Sequence, residues 1–306
     1  YVATQFSTMG LAPGNGDDWY QRVPFKVAQV VEGSRELAIN GDDTDLVLGE
    51  LDEFTTRATL AGEDVSVTAP LVFVGYGVDI PHIERNDYES VDLDGKIAVV
   101  VQGAPKELGS EVRAFYKAGR YHKAQQLEDR GAVGVIYLQH RVVSAEGNLV
   151  RGARSERYWR TDEHGHPQYA FPGLEIEGYL LDAGARRLFA NAPISFDEMV
   201  AAIDDETYEP MDLGMTATVR NRVVRRETES HNVIGLLRGS DPELRDEYVV
   251  LTAHLDGVGM GNEADDNIYN GFYDNASGIG TMLEVARALA NQPVAPRRSI
   301  LFIATT

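Results

Sequence analysis

Residues 248–290 read YVVLTAHLDGVGMGNEADDNIYNGFYDNASGIGTMLEVARALA, and residues 299–306 read SILFIATT. The run YVVLTAH is apolar and β-branched enough to predict a strand that ends at His254. SGIGTMLEVARALA (277–290) sets Ile279, Met282, Leu283, Ala286 and Leu289 at helical spacing behind Asn275 or Ser277 as a cap. SILFIATT predicts a buried strand. A strand, an irregular glycine-rich loop, a helix and a second strand make an α/β unit, so the expected fold class is α/β, a mixed sheet with helices.

Working outward, MTATVRNRVV (215–224) and HNVIGLLRG (231–239) predict further strands. The short polar link SDPELRDE (240–247) predicts that HNVIGLLRG and YVVLTAHLD pair antiparallel. At the other end, YVATQFSTMGL predicts a helix with Val2, Phe6, Met9 and Leu11 on one face. APGNGDD (12–18) reads as a turn, and QRVPFKVAQVV (21–31) as a strand.

From about residue 60 the texture changes to short β runs, VSVTAPLVFVGYGV (65–78) and KIAVVVQGAP (96–105), parted by a polar loop. A helix carrying Phe115, Ala118, Tyr121, Ala124 and Leu127 ends at Gly131 and returns into the strand GVIYLQ (134–139). Residues 151–169 lack any period and predict a long exposed loop, followed by a helix near 177–190 and a polar stretch at 203–213.

The 48 Asp and Glu against 28 Lys and Arg give a net charge of −20, which disfavours nucleic acid and anionic membranes as partners. Only five of the basic residues are Lys, as in salt-adapted or GC-rich sources. No stretch of about 20 uncharged apolar residues is present to span a bilayer. With no Cys, a bound metal must be held by His and carboxylates. The chain starts at Tyr1, part-way into a helix, so a preceding signal peptide and a secreted or periplasmic address are expected.

His254 and Asp256 lie two apart, so the pleat sends both side chains to one face at the C-terminal end of their strand. Ligands of open α/β sheets gather outside those ends. An imidazole there can ligate a metal through one nitrogen while a carboxylate holds the other N–H, with His254 as ligand and Asp256 as orienter. An isolated HxD is equally a surface or hydrogen-bonded core feature. Asp274, ahead of a helix, can bridge two cations or simply cap that helix.

Other signals point to less. GVGMG (257–261) is followed by acidic residues that repel a pyrophosphate. Glu263, Asp265, Asp266 and Asp274 offer hard oxygens for Ca²⁺ without EF-hand spacing. Asn275-Ala-Ser277 matches a glycosylation acceptor that a functional site would bury. His164 and His166, an HxH pair that can bind metal, sit in a polar stretch that reads rather as a solvated loop.

Taken in order, HLDGVG, the acidic loop, YDNASG, the helix and the final strand resemble the co-catalytic zinc aminopeptidase family, which includes glutamate carboxypeptidases and glutaminyl cyclases, over about residues 231–306. The resemblance implies an exopeptidase that removes N-terminal residues from peptide substrates through a water activated by two Zn²⁺ ions. It assigns His254 to one metal, Asp274 to both, and Asp256 to the catalytic set as the acid behind His254. It also implies a cis peptide between Asp274 and Asn275. Many relatives place a second His after HxD, where this chain has Gly257.

The family carries a Glu-Glu pair and further Asp and His ligands beyond the point where this sequence stops. The resemblance therefore implies a chain cut before its general base, binding zinc weakly or not at all and inactive as it stands. A carboxypeptidase of the same family, or a receptor-like member without catalysis, are the alternatives.

VFVGYGV (72–78), DYESVDLDGKIAVVVQG (87–103) and KAQQLEDRGAVGVIY (123–137) resemble the protease-associated domain, a β-rich module inserted in such peptidases. At about 100–200 residues per domain, 306 residues predict two domains. The expected division is 1–59 and 206–306 as partial zinc-peptidase domain, interrupted by 60–205.

Overall fold

In the computed structural model the described residues are 1–42, 44–118, 120–138, 146–260 and 267–306. The chain divides into two compact units, Tyr1–Phe25 with Arg160–Gly165 and Thr228–Thr306, and Lys26–Trp159 with His166–Glu227. The sequence reading divides instead at 59/60 and 205/206.

The first unit holds a mixed sheet with helices. It contains helix α1 (Val2–Thr8), the second part of strand β1 (Met211–Leu237), strand β2 (Tyr248–His254), helix α2 (Ser277–Ala290) and strand β3 (Ser299–Thr305). β3 pairs antiparallel with β1 from Val233↔Ala304 to Leu237↔Ile300, and parallel with β2 from Tyr248↔Ser299 to His254↔Thr305. Ala12–Pro13 adds a short antiparallel strand on β1.

The antiparallel neighbours expected at 231–239 and 248–256 are therefore not neighbours, because β3 lies between them. β3 is the most apolar of the three runs, and the central place gives its backbone partners on both sides. MTATVRNRVV and HNVIGLLRG are one strand of 27 residues rather than two.

One apolar stripe of α2, Ile279, Met282, Leu283 and Ala286, is buried with Val233, Ala253, Ile300 and Phe302 of the sheet. Positions i, i+3, i+4 and i+7 share a helix face, which is why this sequence buries that stripe. Phe6 of α1 completes the core with its ring 6.0 Å from Phe302. A Cβ at residue 235 would lie 2.7 Å from the Phe6 ring, so Gly235 is what lets α1 settle on β1.

In the second unit one run of paired strands has the order Thr44–Leu48, Glu36–Gly41, the first part of β1, Asp64–Phe73, Ile97–Val101, Gly134–Leu138, Ile176–Leu180, Phe54–Arg57. The three pairings from Asp64–Phe73 to Ile176–Leu180 are parallel. Strands covered on both faces need unbroken apolar runs, and IAVVV and GVIYL supply them. Ile97, Val99, Val101, Ile136 and Leu138 enter one core with Leu188, Phe189, Met199 and Ile203 of two helices. Ala98, Val100, Val135 and Tyr137 enter another with Ala124 and Leu127. Each buried Val or Ile contributes about 1.5–3 kcal/mol, so this double-sided core dominates the unit's stability.

Several sequence expectations change here. Residues 151–169 contain the end of a helix, Glu146–Arg154, and a strand, Arg157–Arg160, anchored by buried Trp159. The helix expected at 177–190 is a strand, Ile176–Leu180, followed by a helix, Asp182–Phe189. A further helix, Phe196–Asp205, was not expected, although Ser195 and Glu198 form a reciprocal capping box that its sequence spells out. The helix expected at 115–127 is described over Ser110–Ala118 and Arg120–Glu128; Gly119 and Gln139 lie outside the described residues. No helix among the described residues is long and apolar enough to cross a membrane.

A polar network sits inside this unit. The Tyr208 hydroxyl stands 2.9 Å from both oxygens of buried Asp87, sharing its one proton between them, and Asp87 accepts a further bond of 3.2 Å from Arg85 Nε. Lys123, only 3% exposed, donates to the Gly103 carbonyl at 2.8 Å and lies 5.9 Å from the centroid of the Tyr76 ring. Burial pushes the Lys123 amine down to about 7, against the pull of the Asp87 charge.

An unfolded Lys keeps its proton to about pH 10.4, so between pH 7 and 10 the unfolded chain binds a proton that the folded chain does not. Stability from this group therefore rises with pH across that window, by at most about 1.4 kcal/mol per unit. Lys123→Met abolishes the titration. Denaturant unfolding of both proteins from pH 7 to 10 should show the variant's relative stability falling steadily as pH rises. A constant difference would refute the buried neutral amine.

Candidate active site

β2 runs parallel to β3 in register to its last residue, and that residue is His254. The chain then leaves the sheet, and Asp256 folds back on the ring. His254 Nδ1 lies 3.1 Å from Asp256 Oδ1 and 3.2 Å from the Asp256 carbonyl oxygen. On its other side, Nε2 lies 2.9 Å from Asp274 Oδ1. Sequence reasoning brought these three residues to one place, and the structure does the same.

Asp274 reaches that position through the turn that starts α2. Gly271 adopts φ +63°, a left-handed conformation that suits glycine, and opens a wide turn over Phe272–Ala276. The peptide bond from Asp274 to Asn275 is cis, the bond the family resemblance singles out. Asn275 Oδ1 accepts from the Gly278 amide at 3.1 Å, and Ser277 Oγ donates to the Tyr273 carbonyl at 2.9 Å. Asn275 thus does the capping, which leaves Asp274 for another purpose. A Cβ at residue 278 would stand 2.3 Å from Asn275 Oδ1, so the glycine of YDNASG makes room for the cap. The second oxygen of Asp274 has no partner among the described residues.

These residues line a cleft of about 570 Å³ with Asn275, Ile279 and Leu283. The cleft is open: the Asp274 side chain is 84% exposed and that of His254 42%. Both imidazole nitrogens face an acceptor, and a neutral ring has only one N–H. Either the ring is an imidazolium donating on both sides, or a cation stands between Nε2 and Oδ1 while Nδ1–H holds Asp256. Partial desolvation pulls the His254 pKa down. The bond with the Asp256 carbonyl and the charges of Asp256 and Asp274 outweigh it, and the net shift is upward.

One imidazole and one carboxylate are the donor types zinc takes, so His254 and Asp274 fit as part of a zinc shell. Two donors are half of a tetrahedral set. No group of three or more His, Asp or Glu suited to a metal occurs among the described residues. The acidic residues Glu263, Asp265 and Asp266, read above as a possible Ca²⁺ cluster, lie outside the described residues, as does Gly261. His164 is a surface residue 3.6 Å from Glu163, and the described part of GVGMG enters a two-residue strand at Gly259–Met260 rather than a helix.

Residues 232–306 match the family model of Peptidase family M28. The segment that carries both motifs is thus the one matched, and the resemblance to the zinc aminopeptidases holds there. Among solved structures the chain is similar to an aminopeptidase from Aneurinibacillus sp. strain AM-1, at 18% identity over 99% of this chain and 55% of that one, TM-score 0.48. It is similar to BSAP, a zinc aminopeptidase from Bacillus subtilis, at 18% identity over 99% and 53%, TM-score 0.39. It is also similar to a peptidase M28 precursor from Shewanella amazonensis SB2B, at 17% identity over 99% and 56%, TM-score 0.42. The chain spans just over half the length of these structures.

Because the folded pKa of His254 lies above its ordinary value, the stability its ion pairs contribute is complete below about pH 6.5 and is lost as pH rises through the folded pKa. NMR titration of the His254 ring should give a midpoint above about 6.5, and Asp256→Asn and Asp274→Asn should each lower it. A midpoint unmoved by both substitutions would show that neither carboxylate contacts the ring in solution.

Proposed function

We propose that this chain carries the first part of a two-zinc exopeptidase site, and that the whole protein is an aminopeptidase acting on the free N-terminus of peptides. The observation that carries the reading is the single imidazole with one nitrogen held by a carboxylate and the other aimed at a second carboxylate, in an open cleft at a strand end. His254 would bind one zinc through Nε2, with Asp256 fixing its tautomer through Nδ1. Asp274, with an oxygen left over, would bridge both ions. Bound zinc supplies Lewis acidity that polarises a scissile carbonyl and acidifies water toward neutrality.

On this reading residues 1–59 and 206–306 contribute to the peptidase domain and 60–205 form an inserted protease-associated domain, in an enzyme of secreted or periplasmic address. Zinc held by two donors is held weakly, so the 306-residue chain by itself is expected to be inactive.

Leucine p-nitroanilide and its N-acetyl derivative, assayed with added zinc, test this. The 306-residue chain should hydrolyse neither. A longer protein that includes it should cleave only the free-amine substrate and lose that activity to a chelator. In that protein His254→Ala and Asp274→Asn should each cost at least about 100-fold in kcat/KM, and Asp256→Asn about 10- to 100-fold. Chelator-sensitive hydrolysis by the 306-residue chain would overturn its inactivity, and full activity of His254→Ala the site.

A further inference from the structure

The second unit presents a groove that the peptidase reading does not use. It measures about 660 Å³, within the range of sites for ligands of several hundred daltons, and its apolar wall includes Val27, Leu60, Pro167 and Pro172. Its charged wall holds Lys26, Arg225, Arg226 and Glu227. Arg226 is committed to Glu156 by two bonds of 2.9 and 2.6 Å. The side chains of Lys26 and Arg225 have no ion-pair or hydrogen-bond partner among the described residues. Glu227 offsets one of them, and the free charges on the wall stay net positive. These two unpaired cations sit in a chain that carries 20 excess negative charges.

Leu60 and Ala170 belong also to the wall of a neighbouring recess, so groove and recess adjoin. The recess has a buried floor that includes Trp159, and a rim of Tyr121 and Tyr169, whose rings lie 5.0 Å apart and are 51% and 66% exposed. At about 30 Å³ it admits a methyl or hydroxyl group and no ring, so a larger side chain would be read on the exposed faces of the two tyrosines.

We propose that groove and rim together bind an acidic peptide segment, its carboxylates on Lys26 and Arg225 and a neighbouring aromatic or apolar side chain on Tyr121 and Tyr169. The charges favour this occupant because Lys26 and Arg225, without side-chain partners among the described residues, complement carboxylates at close range. The apolar walls favour a peptide over a bare anion.

Isothermal titration of the 306-residue chain with N-acetyl-Tyr-Glu-Glu-Glu-amide and with its Gln counterpart tests this, the blocked N-terminus keeping both peptides from acting as aminopeptidase substrates. The Glu peptide should bind about tenfold more tightly at low salt, and the preference should shrink as salt screens it. The double variant Lys26→Glu/Arg225→Glu should weaken it about tenfold or more, and Tyr169→Ala about threefold, with melting temperatures unchanged. Equal binding of the two peptides, or unchanged binding by a folded double variant, overturns the proposal. Complete displacement by equimolar inorganic phosphate also overturns it, reducing the site to one for any anion. Should the double variant fail to fold, the two-peptide comparison on the unaltered chain decides. None of these readouts depends on catalysis, so failure here leaves the peptidase reading untouched.

Discussion

Two adjacent parallel strands cannot be joined by a tight turn, and the pairing of β2 with β3 therefore obliges the chain to cross back along the sheet before β3 begins. Helix α2 is that crossover. The chain leaves β2 at His254 and must enter α2 at the same end of the sheet, so Asp274, just before the helix, is brought beside His254 although twenty positions separate them in sequence. The 2.9 Å contact between the two side chains follows from this connection. The buried stripe of α2 and the packing of Phe6 against Gly235 hold the crossover on the sheet, and through it the site.

The same region shows how a loop motif divides its labour. In YDNASG the asparagine satisfies the helix terminus, the serine ties back to the Tyr273 carbonyl, and the glycine leaves space for the asparagine side chain. Only the aspartate is released from structural duty. A carboxylate that caps a helix spends its oxygens on backbone amides, whereas Asp274 has one on His254 and one to spare. Asp256 works similarly on the other face of the ring, since a hydrogen bond at Nδ1 decides what Nε2 can do.

In the second unit, polar groups are placed by packing rather than by motif. Lys123 is buried near the Tyr76 ring with the Gly103 carbonyl as acceptor, while the side chains of Lys26 and Arg225 have no partner among the described residues in a groove of an acidic chain. Neither arrangement is visible in the local sequence, because both depend on what other strands and helices bring near. The helix at Phe196–Asp205 is a different case: its Ser195–Glu198 capping box is legible in the local sequence.

The sequence by itself determined the α/β class, the strand that ends at His254, the helix that starts after Asp274, and the strands IAVVV and GVIYL. These are set by periodicity, capping and apolar content over a few neighbouring residues, interactions that act within one element. Only the tertiary structure decided that β3 lies between β1 and β2, that β1 is one strand serving both units, and that Asn275 rather than Asp274 caps the helix. Strand order depends on which edges compete for backbone hydrogen bonds, and a cap depends on which side chain has the geometry to reach the amides. Both are choices between partners the chain must first bring together.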